Sequence, residues 1–290
     1  MPNNSSTRKT VESLLLLVII AVVVLLSWKA PINIPNQATT SWLINMGLLL
    51  AFTIIAGDIV TGSLRGVLID SRNKISLSRL QMLLWTVLIL SGFLTAVLVN
   101  IHRGQPDPLA IELPEQLWAL LGISTTSLVG SPLIKNNKKS EQTNTDALAK
   151  NRSVMSDQGV NTDNVNVEGQ ILVNAKLADA RWTDIFKGEE VGDGAYLDLG
   201  KIQMFFFTLI TWFTYAIALG NELQKSVGSG AQKFSKFPAL DTGMVALLGI
   251  SHAAYLANKA IPHTPQPPNS PQPINNPQPV NNPQPPTPNP

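Results

Sequence analysis

Ser76-Leu-Ser-Arg-Leu-Gln-Met-Leu-Leu-Trp-Thr86 opens an apolar run that continues to about Ile101 and, past a loop with Pro106, Pro108 and Pro114, leads into Leu120-Leu-Gly-Ile-Ser124 and on to Ser131. The same signals return in weaker form between Asp198 and Lys259. Lys201-Ile-Gln-Met204 answers Arg79-Leu-Gln-Met82, and Leu247-Leu-Gly-Ile-Ser251 answers Leu120 to Ser124. Each copy holds two apolar stretches near the ~20 residues that a ~30 Å hydrocarbon core demands of a helix. The reading is an internally duplicated hairpin of two membrane-crossing helices.

Working outward, Arg8 and Lys9 precede a run from Val11 to Trp28 in which only Glu12 is charged. It is long for a signal peptide and no small-x-small site follows it, so an uncleaved first span is expected. Trp42 to about Ile59 makes a second, with Asp58 near its end, and Trp28 and Trp42 are expected at one membrane face as anchoring indoles. The hairpins supply four more: Leu77 to about Ile101, Gln116 to about Ile134, Lys201 to about Leu219 and about Leu240 to Asn258. Ser76 and Asp198 stand where an N-cap would accept a backbone N–H. The fold class is therefore an all-α membrane protein of about six transmembrane helices with a duplicated two-helix hairpin core.

Five regions follow. Residues 1–62 carry two N-terminal spans and 63–135 the first hairpin. Residues 136–179, rich in Asn, Ser, Thr, Asp and Lys, read as a flexible cytoplasmic loop, periodic only at Gly169-Gln-Ile-Leu-Val-Asn174. Residues 180–260 join an amphipathic segment, expected on the membrane surface or against the bundle, to the second hairpin. Residues 261–290 form a disordered proline-rich tail in which Pro-Gln-Pro recurs at Pro265, Pro271, Pro277 and Pro283.

Composition narrows the function classes. The chain is 44% hydrophobic, 14% charged and has a formal net charge of +2, with its bases scattered near span ends. That pattern excludes a nucleic-acid partner. Without cysteine there are no disulfides, thiolate metal sites or thiol nucleophiles. No catalytic, cofactor or metal motif is present, and the expectation is a protein that is not an enzyme.

Cytoplasmic segments carry the excess of Lys and Arg. With the amino terminus inside, only Lys29, Arg103, Lys225, Lys233 and Lys236 of the 21 basic residues fall outside. Both termini are thus placed in the cytoplasm, and the hairpins are parallel repeats about an axis along the membrane normal.

Few polar residues lie in the spans. Asp58, Gln81, Gln203, Ser124, Ser251 and His252 all fall in the cytoplasmic half and make one candidate polar cluster. Gln81 and Gln203 suit interhelical hydrogen bonds, with Thr86 and Thr208 five residues deeper at matching positions. His252 is the ionisable group deepest in a span, open to a structural or a proton-relay role, although the matching position of the first repeat is Thr125. Gly122, Thr126 and Gly130, and Gly249, Ala253 and Ala257, are small residues four apart, expected to form the central helix-packing seam.

The stretch Gly66-Val-Leu-Ile-Asp-Ser-Arg-Asn-Lys-Ile-Ser-Leu-Ser-Arg-Leu-Gln-Met-Leu-Leu-Trp-Thr86 and the later Ala180-Arg-Trp-Thr-Asp-Ile-Phe-Lys-Gly-Glu-Glu-Val-Gly192, followed by Lys201-Ile-Gln-Met-Phe-Phe-Phe-Thr208, resemble a group of uncharacterised bacterial inner-membrane proteins. The likeness covers roughly Gly57 to Lys259. It implies the plasma (inner) membrane of a bacterium and carries over no activity.

The function expected is that of a non-enzymatic scaffold or complex subunit in the lipid bilayer, meeting a cytoplasmic protein partner through the tail or residues 180–198. Homo-oligomerisation is compatible with the spans. The alternative is a small channel or transporter for an ion or neutral solute.

Overall fold

A computed structural model describes residues 10–11, 13–22, 37–227 and 233–264. Its helices are α1 (Ser13–Val22), α2 (Gln37–Thr61), α3 (Leu77–His102), α4 (Glu115–Lys139), α5 (Thr145–Asp157), α6 (Leu199–Lys225) and α7 (Thr242–Ala260), with strands β1 (Val165–Glu168) and β2 (Ile171–Asn174) between α5 and α6. Four of them, α2, α3, α4 and α6, are long and apolar enough to cross a membrane. The protein is predominantly helical and of membrane type. Of the expected first span, Val11 to Trp28, residues 11 and 13–22 are described, the latter as α1; the remainder lies outside the described residues, as does the tail from Pro265.

Helix α3 is central, packing against α2, α4 and α6, while α7 packs on α4 and α6. One apolar core gathers Trp42, Trp85, Leu88, Leu117, Leu120, Tyr215, Leu219, Phe237 and Leu248. Gly92 permits the close approach of α3 and α6, because a Cβ there would lie 2.6 Å from Leu219 Cδ2. Apolar contact gives helices in lipid little preference for one another, so polar bonds choose the pairs. Trp42 Nε1 donates to Ser91 Oγ at 3.0 Å and Asn45 Nδ2 to Thr95 Oγ1 at 2.9 Å, joining α2 to α3. Trp42 is therefore buried between helices and is no interfacial anchor: a partner for its N–H lay inside the bundle.

At the end opposite the strands, the two hairpin loops are stitched together. Asn100 donates to Phe234 O at 2.9 Å and accepts from Phe234 N at 3.0 Å, and Phe237 N donates to Glu112 O at 2.9 Å.

The packing seam differs from expectation by one helical position. The face of α4 that turns inward carries Leu117, Leu120, Ser124, Ser127, Ser131, Lys135 and Lys138. Gly122 and Thr126 are exposed and Gly130 flanks the seam. On α7 the inward residues are Leu248, Ser251, His252, Tyr255 and Lys259; Ala253 and Ala257 face out, and Gly249 sits at the edge opposite Ile123. Two neighbouring stripes of small residues run along α4, and the hydroxyls, which can bond across the interface, take the buried one.

Residues 136–179 are ordered where a flexible loop was expected. Asn144 caps α5 by accepting from Asp146 N and Ala147 N at 3.1 and 3.0 Å. The antiparallel β1–β2 pair then places Met155, Val165, Leu172, Val191 and Ala195 in a small core of its own. Five such side chains stabilise by about 1.5–3 kcal/mol each at most, against about 1–2 kcal/mol of backbone entropy for every residue ordered. This layer cannot stand on its core alone. Its attachments to the helix ends supply the rest, and the short periodicity at Gly169 to Asn174 was the visible part of it.

Candidate functional site

Three backbone devices build the site. Leu172 N donates to Glu189 O at 2.9 Å and Val191 N to Gln170 O at 2.9 Å, so residues 189–191 run extended along the β2 edge. Successive side chains of an extended segment point to opposite sides, and Glu189 and Glu190 go to different partners accordingly. Gly169, at φ 59°, lets the hairpin turn press on the Lys138 and Lys139 carbonyls, and Gln170 N donates to Lys138 O at 3.0 Å. Asn73, at φ 57°, where asparagine is tolerated, exchanges side-chain-to-backbone bonds with Asn174, both 2.9 Å.

These devices deliver Glu189 into a cage of cations at the helix ends. Its carboxylate meets Lys259 Nζ at 2.5 Å, Lys201 Nζ at 3.0 Å, Arg72 Nη2 at 3.1 Å and Lys135 Nζ at 3.8 Å. Asp70 accepts from Arg72 Nη2 at 2.8 Å, Arg72 Nε at 3.0 Å and Lys135 Nζ at 3.1 Å. Burial alone would raise the Glu189 carboxyl, but Arg72, Lys135, Lys201 and Lys259 hold it well below the usual carboxylate range. Burial likewise opposes ionisation of Asp70, and Arg72 and Lys135 overcome it. The same two carboxylates keep buried Arg72 firmly charged. Lys74, beside this group, is pushed down to about 8, first by burial and then by the charge of Arg72.

Glu190 faces the other way. It pairs with Lys138, accepts from His263 N at 2.9 Å and from Thr264 Oγ1 at 3.3 Å. Gly192 N donates to Thr264 Oγ1 at 3.1 Å and Lys138 Nζ to Ile261 O at 2.8 Å. The chain leaving α7 is thereby fixed to the same layer. Asp193, between these groups, is raised by burial.

The six polar residues singled out from sequence do not converge on one point. Gln81 Nε2 donates to Thr208 Oγ1 at 2.6 Å, joining α3 to α6. Ser127 Oγ and His252 Nδ1 are 2.5 Å apart, joining α4 to α7, and Ser124 is buried on the same α4 face. Gln203 is exposed, and it lines with Ser251 a shallow recess that Tyr255 and His263 also border. Asp58 is buried near the end of α2. The structure brings Gln203 and Ser251 together, sets His252 beside the Ser124 face and holds Gln81 on another helix pair. Sequence reasoning missed Glu189, Asp70 and Arg72 as a group. Glu189 and Arg72 are 117 residues apart in the chain, and no local pattern links them.

Among the described residues no group of three or more His, Asp or Glu side chains could hold a metal ion. No family model, curated protein or solved structure matches this chain.

Proposed function

We propose that the chain is a non-enzymatic membrane scaffold or complex subunit, seated in the plasma (inner) membrane of a bacterium with both termini cytoplasmic. Its six spans include the duplicated hairpins α3–α4 and α6–α7. The bias of basic residues and the recurrence of Arg/Lys-x-Gln-Met and Leu-Leu-Gly-Ile-Ser support that arrangement.

The observation that carries the reading is the burial of Glu189 among four cations from the 65–76 loop, α4, α6 and α7. A polar layer locked to four parts of the bundle is a rigid cytoplasmic platform. The proline-rich segment leaves it from the point where His263 and Thr264 meet Glu190. Polyproline sequence is a ready ligand, because little entropy remains to be lost on binding. The interhelical polar groups serve packing: Gln81 Nε2 bonds Thr208 across α3 and α6, and His252 bonds Ser127 across α4 and α7.

The test is affinity capture of the full chain, and of a chain ending at Thr264, from membranes of producing cells in mild detergent. The scaffold reading expects partners that the full chain retains and the shortened chain loses. Identical partner sets, together with an ion or solute flux in liposomes that His252→Ala abolishes, would favour the channel alternative.

A further inference from the structure

We infer that the cavity between the cytoplasmic ends of α3 and α4 binds the headgroup of an anionic phospholipid. The cavity measures about 550 Å³. Its polar end is lined by Arg72, Arg79, Lys135 and Lys139, with Asp70 the one carboxylate on its wall. Lys139 is answered from outside by Glu168 at 2.5 Å. Three further observations point to an anion. Among the described residues, the four basic side chains Arg72, Lys135, Lys201 and Lys259 of the cage meet two carboxylates, Asp70 and Glu189, so basic groups outnumber acidic ones there. Arg72, 3% exposed, commits Nε and Nη2 to Asp70 and Glu189, while its Nη1 has no hydrogen-bond partner among the described residues. The start of α3 reaches the same cavity through Ser76, Ser78 and Arg79, and Ser76 makes no side-chain cap bond to the first-turn N–H groups. Cations beside a helix start suit a phosphodiester, whose two free oxygens match the guanidinium of exposed Arg79 and backbone donors.

The other end of the cavity separates a lipid from a free anion. Its wall continues through Leu83, Thr86 and Leu128. Thr86 lies nine positions past the first residue of α3, so the wall reaches ~13 Å along the helix at 1.5 Å per residue. Inorganic phosphate has no use for such a wall, whereas the first carbons of an acyl chain would lie along it. Basic pockets between spans on the cytoplasmic side are where anionic headgroups are held.

The experiment is native mass spectrometry of the full chain in detergent with equal amounts of phosphatidylglycerol and phosphatidylcholine. Preferential retention of phosphatidylglycerol is expected. Arg79 is exposed and outside the buried cage, so Arg79→Gln keeps the fold and should cut the preference about fivefold, as loss of one basic residue near a membrane surface does. Thr86→Phe, which fills the apolar wall, should lower lipid retention without changing any charge. Equal retention of the two lipids, or a preference untouched by both substitutions, would overturn the inference. So would displacement of the lipid by millimolar inorganic phosphate combined with indifference to Thr86→Phe, which would assign the site to a free anion.

Discussion

Glu189 and Lys201 are 12 positions apart in the chain, and their charged ends meet at 3.0 Å with the Lys201 side chain buried and that of Glu189 12% exposed. Lys201 also donates to Lys187 O at 2.6 Å, so one lysine at the head of α6 holds both ends of the Lys187 to Glu189 segment. Arg79 fills the matching place at the head of α3, yet it is exposed. The Arg79-Leu-Gln-Met82 and Lys201-Ile-Gln-Met204 stretches thus differ in the burial of their basic residue.

Removing one partner from a buried ion pair leaves uncompensated charge and costs about 3–5 kcal/mol. Glu189→Gln keeps the shape and deletes the charge on which four cations converge. Its unfolding free energy in detergent should fall by an amount in that range, and a value equal to wild type would disprove the role of the cage.

Acid should undo the same contacts. Glu189 and Asp70 have folded-state values below the usual ~4 of the unfolded chain. Their stabilisation is thus complete above about pH 4.5 and drains away as pH falls through that value toward the folded-state values. A pH series of unfolding midpoints should slope downward below about pH 5, with a shallower slope in Glu189→Gln.

Lys74 acts at the opposite end of the scale. Its folded-state value of about 8 lies below the usual ~10.4, so the folded protein prefers the neutral amine. Charging it costs stability in full below about pH 8, and the cost disappears between pH 8 and about 10.4. Lys74→Met should be more stable than wild type at neutral pH, and this advantage should vanish in alkali.

The two helix starts provide a matched pair of substitutions. Asp198 accepts from Lys201 N at 3.1 Å, while Ser76 makes no side-chain cap bond. Asp198→Ala should cost about 1 kcal/mol and Ser76→Ala far less. Equal losses in thermal unfolding would contradict the assignment.

Ser127 and His252 form a buried hydrogen bond between α4 and α7. Either alanine substitution orphans a buried polar group at a cost of about 1–3 kcal/mol. The double substitution should cost less than the two singles together, which a double-mutant cycle measures.

The long apolar helices are legible because the length of an apolar run is a local property. The Asp198 cap is legible for the same reason, and an amide at Gln81, at a span end, suits the interhelical bond that Thr208 accepts. The seam on α4 was read one position off, since Gly122–Thr126–Gly130 and Ser124–Ser127–Ser131 are adjacent stripes and only a neighbouring helix decides between them. Residues 136–179 look disordered because their polar composition gives the small core only three of its five buried apolar side chains, Met155, Val165 and Leu172. What orders them is contact with Arg72 and Asn73, far away in sequence.

The most direct test of the platform is hydrogen–deuterium exchange of the detergent-solubilised full chain, read over β1, β2 and residues 180–198 in wild type and in Glu189→Gln. The account predicts slow exchange in wild type and fast exchange across all three segments in the variant, while α3 stays protected in both. Fast exchange of these segments in wild type, or none gained on removing the Glu189 charge, would contradict it.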